Sequence, residues 1–250
     1  MIPTEERKRA RHIEAFDEYE GLHWTCSHYS ILTAAKGGCG PLLPPRENPE
    51  EKSVNSRKPE VSWSMTHSEI MRFGQASAAV GGFLWITGGF GGRTKCHSRL
   101  DDLKCVAVGN PAEISHRFKH TKLARMFHTI DAIKRRDGSH FLSVFGGRTH
   151  PSNPLNDVCI FHPLSDQFEC HLPEESESWP LARWRHSGTA VANAADQDQQ
   201  LLICGGRGVH STYSDCWLLQ FIEEEGHSGT SLRWKPFAQL PHGRHSHSAT

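Results

Sequence analysis

Arg125-Met126-Phe127-His128, then Phe141-Leu142-Ser143-Val144-Phe145-Gly146-Gly147, then Asn156-Asp157-Val158-Cys159-Ile160-Phe161 is the stretch that decides the fold, because the chain writes it again on both sides. Upstream stand Arg72-Phe73-Gly74-Gln75, a small strand from Ala76 to Val80, Phe83-Leu84-Trp85-Ile86-Thr87 before Gly88-Gly89, and Leu100-Asp101-Asp102-Leu103. Downstream stand Arg183-Trp184-Arg185-His186, Leu201-Leu202-Ile203-Cys204 before Gly205-Gly206, and Ser214-Asp215-Cys216-Trp217-Leu218-Leu219. A fourth copy opens at Arg244-His245-Ser246-His247. From Gly88 to Gly146 is 58 residues and from Gly146 to Gly205 is 59, so the unit recurs at a nearly fixed period. A period of this length marks an array of supersecondary units, each burying its face only against its neighbours.

The residue types fit a strand buried on both faces. Short apolar runs rich in aromatic and β-branched residues suit that position, and a glycine pair behind them permits positive φ and close backbone approach at a crowded turn. Phe168-Glu169-Cys170 and Leu232-Arg233-Trp234 are read as outer strands closing their units before the next Arg-x-x-His. The expected architecture is all-β: an incomplete kelch β-propeller of three blades and the start of a fourth, left open with an exposed strand edge at each end and prone to aggregate. A β-sandwich with glycine-rich turns is the competing reading, and repetition of four features at one period weighs against it.

Three parts are expected along the chain: residues 1–38 as one short α/β unit, residues 39–68 as a linker, and residues 69–250 as the repeats. The first has a charged, helix-like stretch from Glu5 to Glu20 and a strand-like run from Leu22 to Leu32; the second carries Gly40-Pro41, Pro44-Pro45 and Pro49 among polar residues. Lys+Arg and Asp+Glu are both 28, so no global field selects nucleic acid, membrane or an acidic ligand. No stretch nears 18 apolar residues and Met1 to Arg11 is charged, so the expected location is cytoplasmic, with no membrane partner. Eight cysteines are too few for a disulfide scaffold, and Cys159, Cys204 and Cys216, lying within apolar strand patterns, are expected to be reduced core residues.

The run Phe16-Asp17-Glu18-Tyr19-Glu20-Gly21-Leu22-His23-Trp24-Thr25-Cys26-Ser27-His28-Tyr29-Ser30-Ile31-Leu32-Thr33-Ala34-Ala35-Lys36-Gly37 resembles the end of the methyltransferase domain in the leucine carboxyl methyltransferase family. Followed by kelch repeats, it is similar to the branch in which a Rossmann-like, S-adenosylmethionine-dependent domain precedes a propeller. The resemblance implies late steps of wybutosine biosynthesis on phenylalanine tRNA: methylation of a side-chain carboxylate, then methoxycarbonylation of its amine. The chain departs from the family before Phe16, where no glycine-rich strand-to-helix loop stands to hold the methyl donor. It is therefore expected to be a truncated form that binds no S-adenosylmethionine by itself and has no catalytic residue of its own.

Other chemistries are weaker. The 18 histidines invite a metal site, but Cys96-His97 with Cys105, and His242 with His245 and His247, lack the paired close spacings of structural zinc. His128, His186 and His247 instead fill one repeat position, where a ring nitrogen can bond backbone carbonyls between blades. There is no Gly-x-Ser-x-Gly elbow for a serine hydrolase. Arg7-Lys8-Arg9-Ala10-Arg11 and Lys134-Arg135-Arg136 are candidates for phosphate contact, and Arg125, Arg183, Arg185 and Arg244 could line one propeller mouth. The competing reading makes the first two groups solvated charge and the repeated arginines hydrogen-bonding groups between blades. Functionally, a piece of a tRNA-modifying methyltransferase stands against a non-catalytic kelch module that binds a protein partner through its loops.

Overall fold

The computed structural model describes residues 70–91, 98–174, 178–192, 198–223 and 229–249. The segments expected to be a methyltransferase remnant and a linker lie outside the described residues, as do Cys96, His97 and the basic run 7–11. The chain is all-β where described. The strands run β1 (Arg72–Phe73), β2 (Ala76–Val80), β3 (Phe83–Thr87), β4 (Phe90–Gly91), β5 (Ser98–Arg99), β6 (Asp102–Ala107), β7 (Asn110–Lys119) and β8 (Thr129–Lys134). They continue as β9 (His140–Phe145), β10 (Arg148–His150), β11 (Asn153–Pro154), β12 (Val158–His162), β13 (Gln167–His171), β14 (Ser187–Ala192), β15 (Gln199–Cys204), β16 (Asp215–Glu223) and β17 (Thr230–Gln239).

Three four-stranded antiparallel sheets dominate, in the orders β2-β3-β6-β7, β8-β9-β12-β13 and β14-β15-β16-β17. Each is a meander, with the strand after the motif turn at one edge and an outer strand at the other. Phe168-Glu169-Cys170 falls in β13 and Leu232-Arg233-Trp234 in β17, as the repeat predicts. The outer strand of the first sheet, β7, was not foreseen: Asn110–Lys119 has neither an aromatic-rich run nor a regular alternation of polar and apolar residues.

The second sheet is buried on both faces because its side chains alternate. Leu142 and Val144 of β9, with Cys159 and Phe161 of β12, pack against Trp85, Leu103 and Cys105 of the first sheet. Phe141 and Phe145, with Val158 and Ile160, pack against Leu201, Ile203, Leu219 and Trp234 of the third. Apolar residues at consecutive positions therefore serve two separate cores, and the sheets stand face to face in a propeller-like row. Strand β8 touches both β2 and β14, so these three edge strands lie where the sheets converge.

One cysteine expectation fails. Cys159 and Cys170 form a disulfide, while Cys105, Cys204 and Cys216 are free and buried. The reason is register: the two cysteines are direct cross-strand partners on β12 and β13, which brings their sulfurs together. No described helix is long and apolar enough to cross a membrane.

Candidate functional site

All four motif turns, Arg-x-x-His in three and Arg-x-x-Gln at Arg72–Gln75, and all three glycine pairs lie at one end of the sheets, where β2, β8 and β14 begin, β3, β9 and β15 end, and β6, β12 and β16 begin. The first motif residue is a buried ion-pair latch. Arg125 donates through Nη1 to Asp157 Oδ1 and through Nη2 to Oδ2, both at 2.7 Å, and through Nη1 to the Gly146 carbonyl at 2.9 Å. Arg183 repeats this on Asp215, at 2.7 and 2.9 Å, and on the Gly205 carbonyl at 2.9 Å. Arg72 does so on Asp102 and on the Gly88 carbonyl at 3.1 Å. The bidentate fork is a strong arrangement because each N–H meets a charged oxygen. Burial alone would raise the carboxyl pKa of Asp102, but Arg72 and Lys104 hold it below the usual range; at Asp215 the same opposition of burial against Arg183 and the Trp217 indole N–H has the same outcome.

The backbone of the same arginines joins neighbouring sheets. Gly89, Gly147 and Gly206 donate their N–H to the carbonyls of Arg125, Arg183 and Arg244. Each pair's first glycine lies at φ of 59° to 62°, and a Cβ added there would sit 2.6–2.7 Å from the same arginine carbonyl. Only glycine fits both demands.

The third motif residue is left-handed in every copy: Gly74 (φ 65°), Phe127 (58°), Arg185 (56°) and Ser246 (56°). These residues form a ladder across the repeats. Phe127 N–H donates to Gly74 O at 2.7 Å, Arg185 N–H to Phe127 O at 2.9 Å and Ser246 N–H to Arg185 O at 2.8 Å. Three non-glycine residues held at positive φ store strain that a ladder of this kind must offset.

The fourth residue packs into the preceding sheet. His186 Nε2 lies 3.2 Å from Thr129 Oγ1 and His247 Nε2 3.1 Å from Ser187 Oγ, so a neighbour's hydroxyl joins the backbone contact expected of this position, which Cys204 supplies at His247. At His128 the equivalent position is Ala76, so no neighbouring hydroxyl serves the buried ring, whose polar contact is the backbone at Thr87. Burial, with the charges of Arg125 and His186, pushes the His128 pKa well down; burial and the Arg183 charge push that of His186 down to about 3. Both rings are neutral at pH 7.

The residue after each glycine pair bridges to the second motif residue: Phe90 pairs with Phe73, Arg148 with Met126 and Arg207 with Trp184. This end of the array changes character along the row. At the first repeat it is aromatic, with Phe73 5.5 Å from Phe90 and 6.5 Å from Phe127. At the second and third it is cationic: the guanidinium carbons of Arg148, Arg185 and Arg207 lie 3.9, 5.0 and 4.8 Å from the centre of the Trp184 ring, and Arg185 also lies 4.4 Å from that of Phe127. Burial and the charges of Arg207 and Arg185 lower the pKa of adjacent His245.

Of the four arginines singled out in the sequence, Arg125 and Arg183 are thus buried at 1% and 0% exposure against their own carboxylates. Arg185 is half-buried on aromatic rings and Arg244 is exposed. Arg148 and Arg207 were missed, although Gly-Gly-Arg recurring at Gly146–Arg148 and Gly205–Arg207 was a visible signal. Lys134 ends β8 and Arg135 lies over Phe141, 4.9 Å from its ring centre, away from the motif turns. Among the described residues, Asp157, Cys159 and Cys170 have metal-ligand spacing, but Arg125 holds the carboxylate and the sulfurs are bonded to each other.

No family model matches the chain. Curated relatives do. tRNA wybutosine-synthesizing protein 4 of Rattus norvegicus is 30% identical across 100% of this chain, the Homo sapiens protein of the same name 28% across 100%, and that of Emericella nidulans 29% across 98%. The curated homologues that match this chain all carry the name tRNA wybutosine-synthesizing protein 4, at 24–30% identity, which supports a likeness to that family. The chain spans 38% of the length of the rat and human members and 23% of the fungal one. The fold is similar to a solved structure titled "Structure of YjhT", with a TM-score of 0.51 and 14% identity over 76% of this chain and 58% of that one.

Proposed function

We propose that the chain serves wybutosine biosynthesis on phenylalanine tRNA as the propeller segment of the family, presenting its motif-bearing end to the RNA. The similarity of the whole chain to proteins named tRNA wybutosine-synthesizing protein 4 is the observation that carries this reading. In it, the three sheets are three kelch blades, Arg244 to His247 open a fourth, and residues 1–38 are the close of a methyltransferase domain.

S-adenosylmethionine does not fit the described residues. They contain no α-helix, so there is no strand-to-helix loop for the donor, and the glycine pairs are filled by the backbone of the next motif. The role proposed here is positioning, which contributes to rate by holding reactants in one geometry. Donor chemistry belongs to residues elsewhere in the family's proteins.

Disrupting the gene for this chain in its own host and analysing the nucleosides of phenylalanine tRNA tests the proposal. Loss of wybutosine with build-up of a precursor bearing a free carboxylate is expected. An unchanged nucleoside profile would reject the reading and leave a kelch module for a protein partner.

A further inference from the structure

The fold treats its arginines in two ways. Arg72, Arg125 and Arg183 are buried, and each has its own aspartate within the same repeat. Arg207 is half-buried and has no such carboxylate among the described residues; its side-chain contact is the face of Trp184, and its Nε is buried without an acceptor. Contact with a ring face uses none of the N–H groups of a guanidinium, so its donors remain available in a fixed plane. Arg185 lies in the same cluster, 5.0 Å from the centre of the indole, and its backbone is fixed in the ladder from Phe127 to Ser246. Trp184 is 2% exposed, so the indole acts as a support for the guanidinium groups and not as a stacking platform for a ligand.

We propose that Arg207, held on Trp184 at the cationic end of the row, binds a phosphodiester group of RNA. Rigid guanidinium forks suit a phosphate better than a flexible ammonium does, because two parallel N–H···O bonds form with little ordering cost. The site depends on the proposed function for the identity of its ligand, and on the geometry alone for its place.

The test is binding of labelled phenylalanine tRNA by the whole 250-residue chain across a salt series, for the parent, Arg207→Gln and Arg207→Lys. The parent should weaken linearly in log–log form with salt. Arg207→Gln should bind about tenfold more weakly at low salt, with the slope reduced by about one counterion. Arg207→Lys should keep most of the slope and lose part of the affinity, since it retains charge without the fork. Circular dichroism on each variant controls for folding, and Arg207→Lys guards against a defect caused only by lost charge in the cluster.

Equal affinity and slope for all three proteins would overturn the site. So would a parent that binds polyglutamate but not tRNA. Loss of wybutosine on gene disruption combined with either of these would reject the phosphate site alone and leave the proposed function standing.

Discussion

Asp131 is the residue whose chemistry fits its surroundings least. It stands on β8, where the sheets converge, with Oδ2 buried and unpartnered, and burial raises its pKa to about 7. An acid with a folded pKa above its unfolded value of about 3.9 contributes stability below that value and loses it as pH rises through about 7. His128 and His186 act oppositely. Their folded pKa values lie below the unfolded value of about 6.5, so the unfolded chain binds more protons and stability falls as pH drops below about 6.5. Asp131→Asn should therefore raise stability at pH 8, by on the order of 2–4 kcal/mol, and change it little at pH 3, below the unfolded pKa. Chemical denaturation of both proteins at the two pH values measures this. At His128 the missing hydroxyl can be supplied: Ala76→Thr places one where Thr129 and Ser187 serve the following histidines, and the thermal midpoint should rise by the equivalent of about 1 kcal/mol.

At the scale of the element, the turn and not the strand is the conserved mechanical part of each repeat unit. Removing one latch partner leaves a buried charge, so Asp157→Ala should cost about 3–5 kcal/mol, and Arg125→Met with Asp157→Leu distinctly less, because no charge is then stranded. Equilibrium unfolding of the single and double variants decides between those outcomes. The glycines separate in the same assay. Gly138 (φ 86°) has open space around it, whereas a Cβ on Gly147 (φ 87°) would meet His128 Cβ at 2.7 Å and the Met126 carbonyl at 2.9 Å. Gly138→Ala should cost about 1–2 kcal/mol from backbone conformation alone, and Gly147→Ala clearly more. The strands β3, β9, β15 and the turns behind them were legible because an apolar run closed by two glycines has few other readings. The partner of each repeated arginine was not, since the aspartate 30 to 32 residues onward is brought beside it only when the third strand of the unit folds back. The Cys159–Cys170 pairing was hidden for a similar reason: it depends on the cross-strand register of β12 and β13, which neither strand's own pattern specifies.

Across the whole molecule, equal numbers of acidic and basic residues conceal an uneven distribution. Carboxylates sit with the buried arginines inside the latches, and the cationic cluster gathers around Trp184 at the motif-bearing end. Average charge was uninformative about partners because neutralisation here is local. A chain of this kind should bind tRNA with a strong salt dependence while showing no saturable uptake of S-adenosylmethionine in equilibrium dialysis, with or without tRNA present. Saturable uptake would place a donor pocket in residues outside those described. The most direct test of the account is the wybutosine content of phenylalanine tRNA in host cells lacking this chain and re-expressing either the parent or Arg207→Gln at matched protein level. The account predicts that deletion abolishes wybutosine, the parent restores it and Arg207→Gln restores it only in part; wybutosine at the normal level in the deletion strain would contradict it.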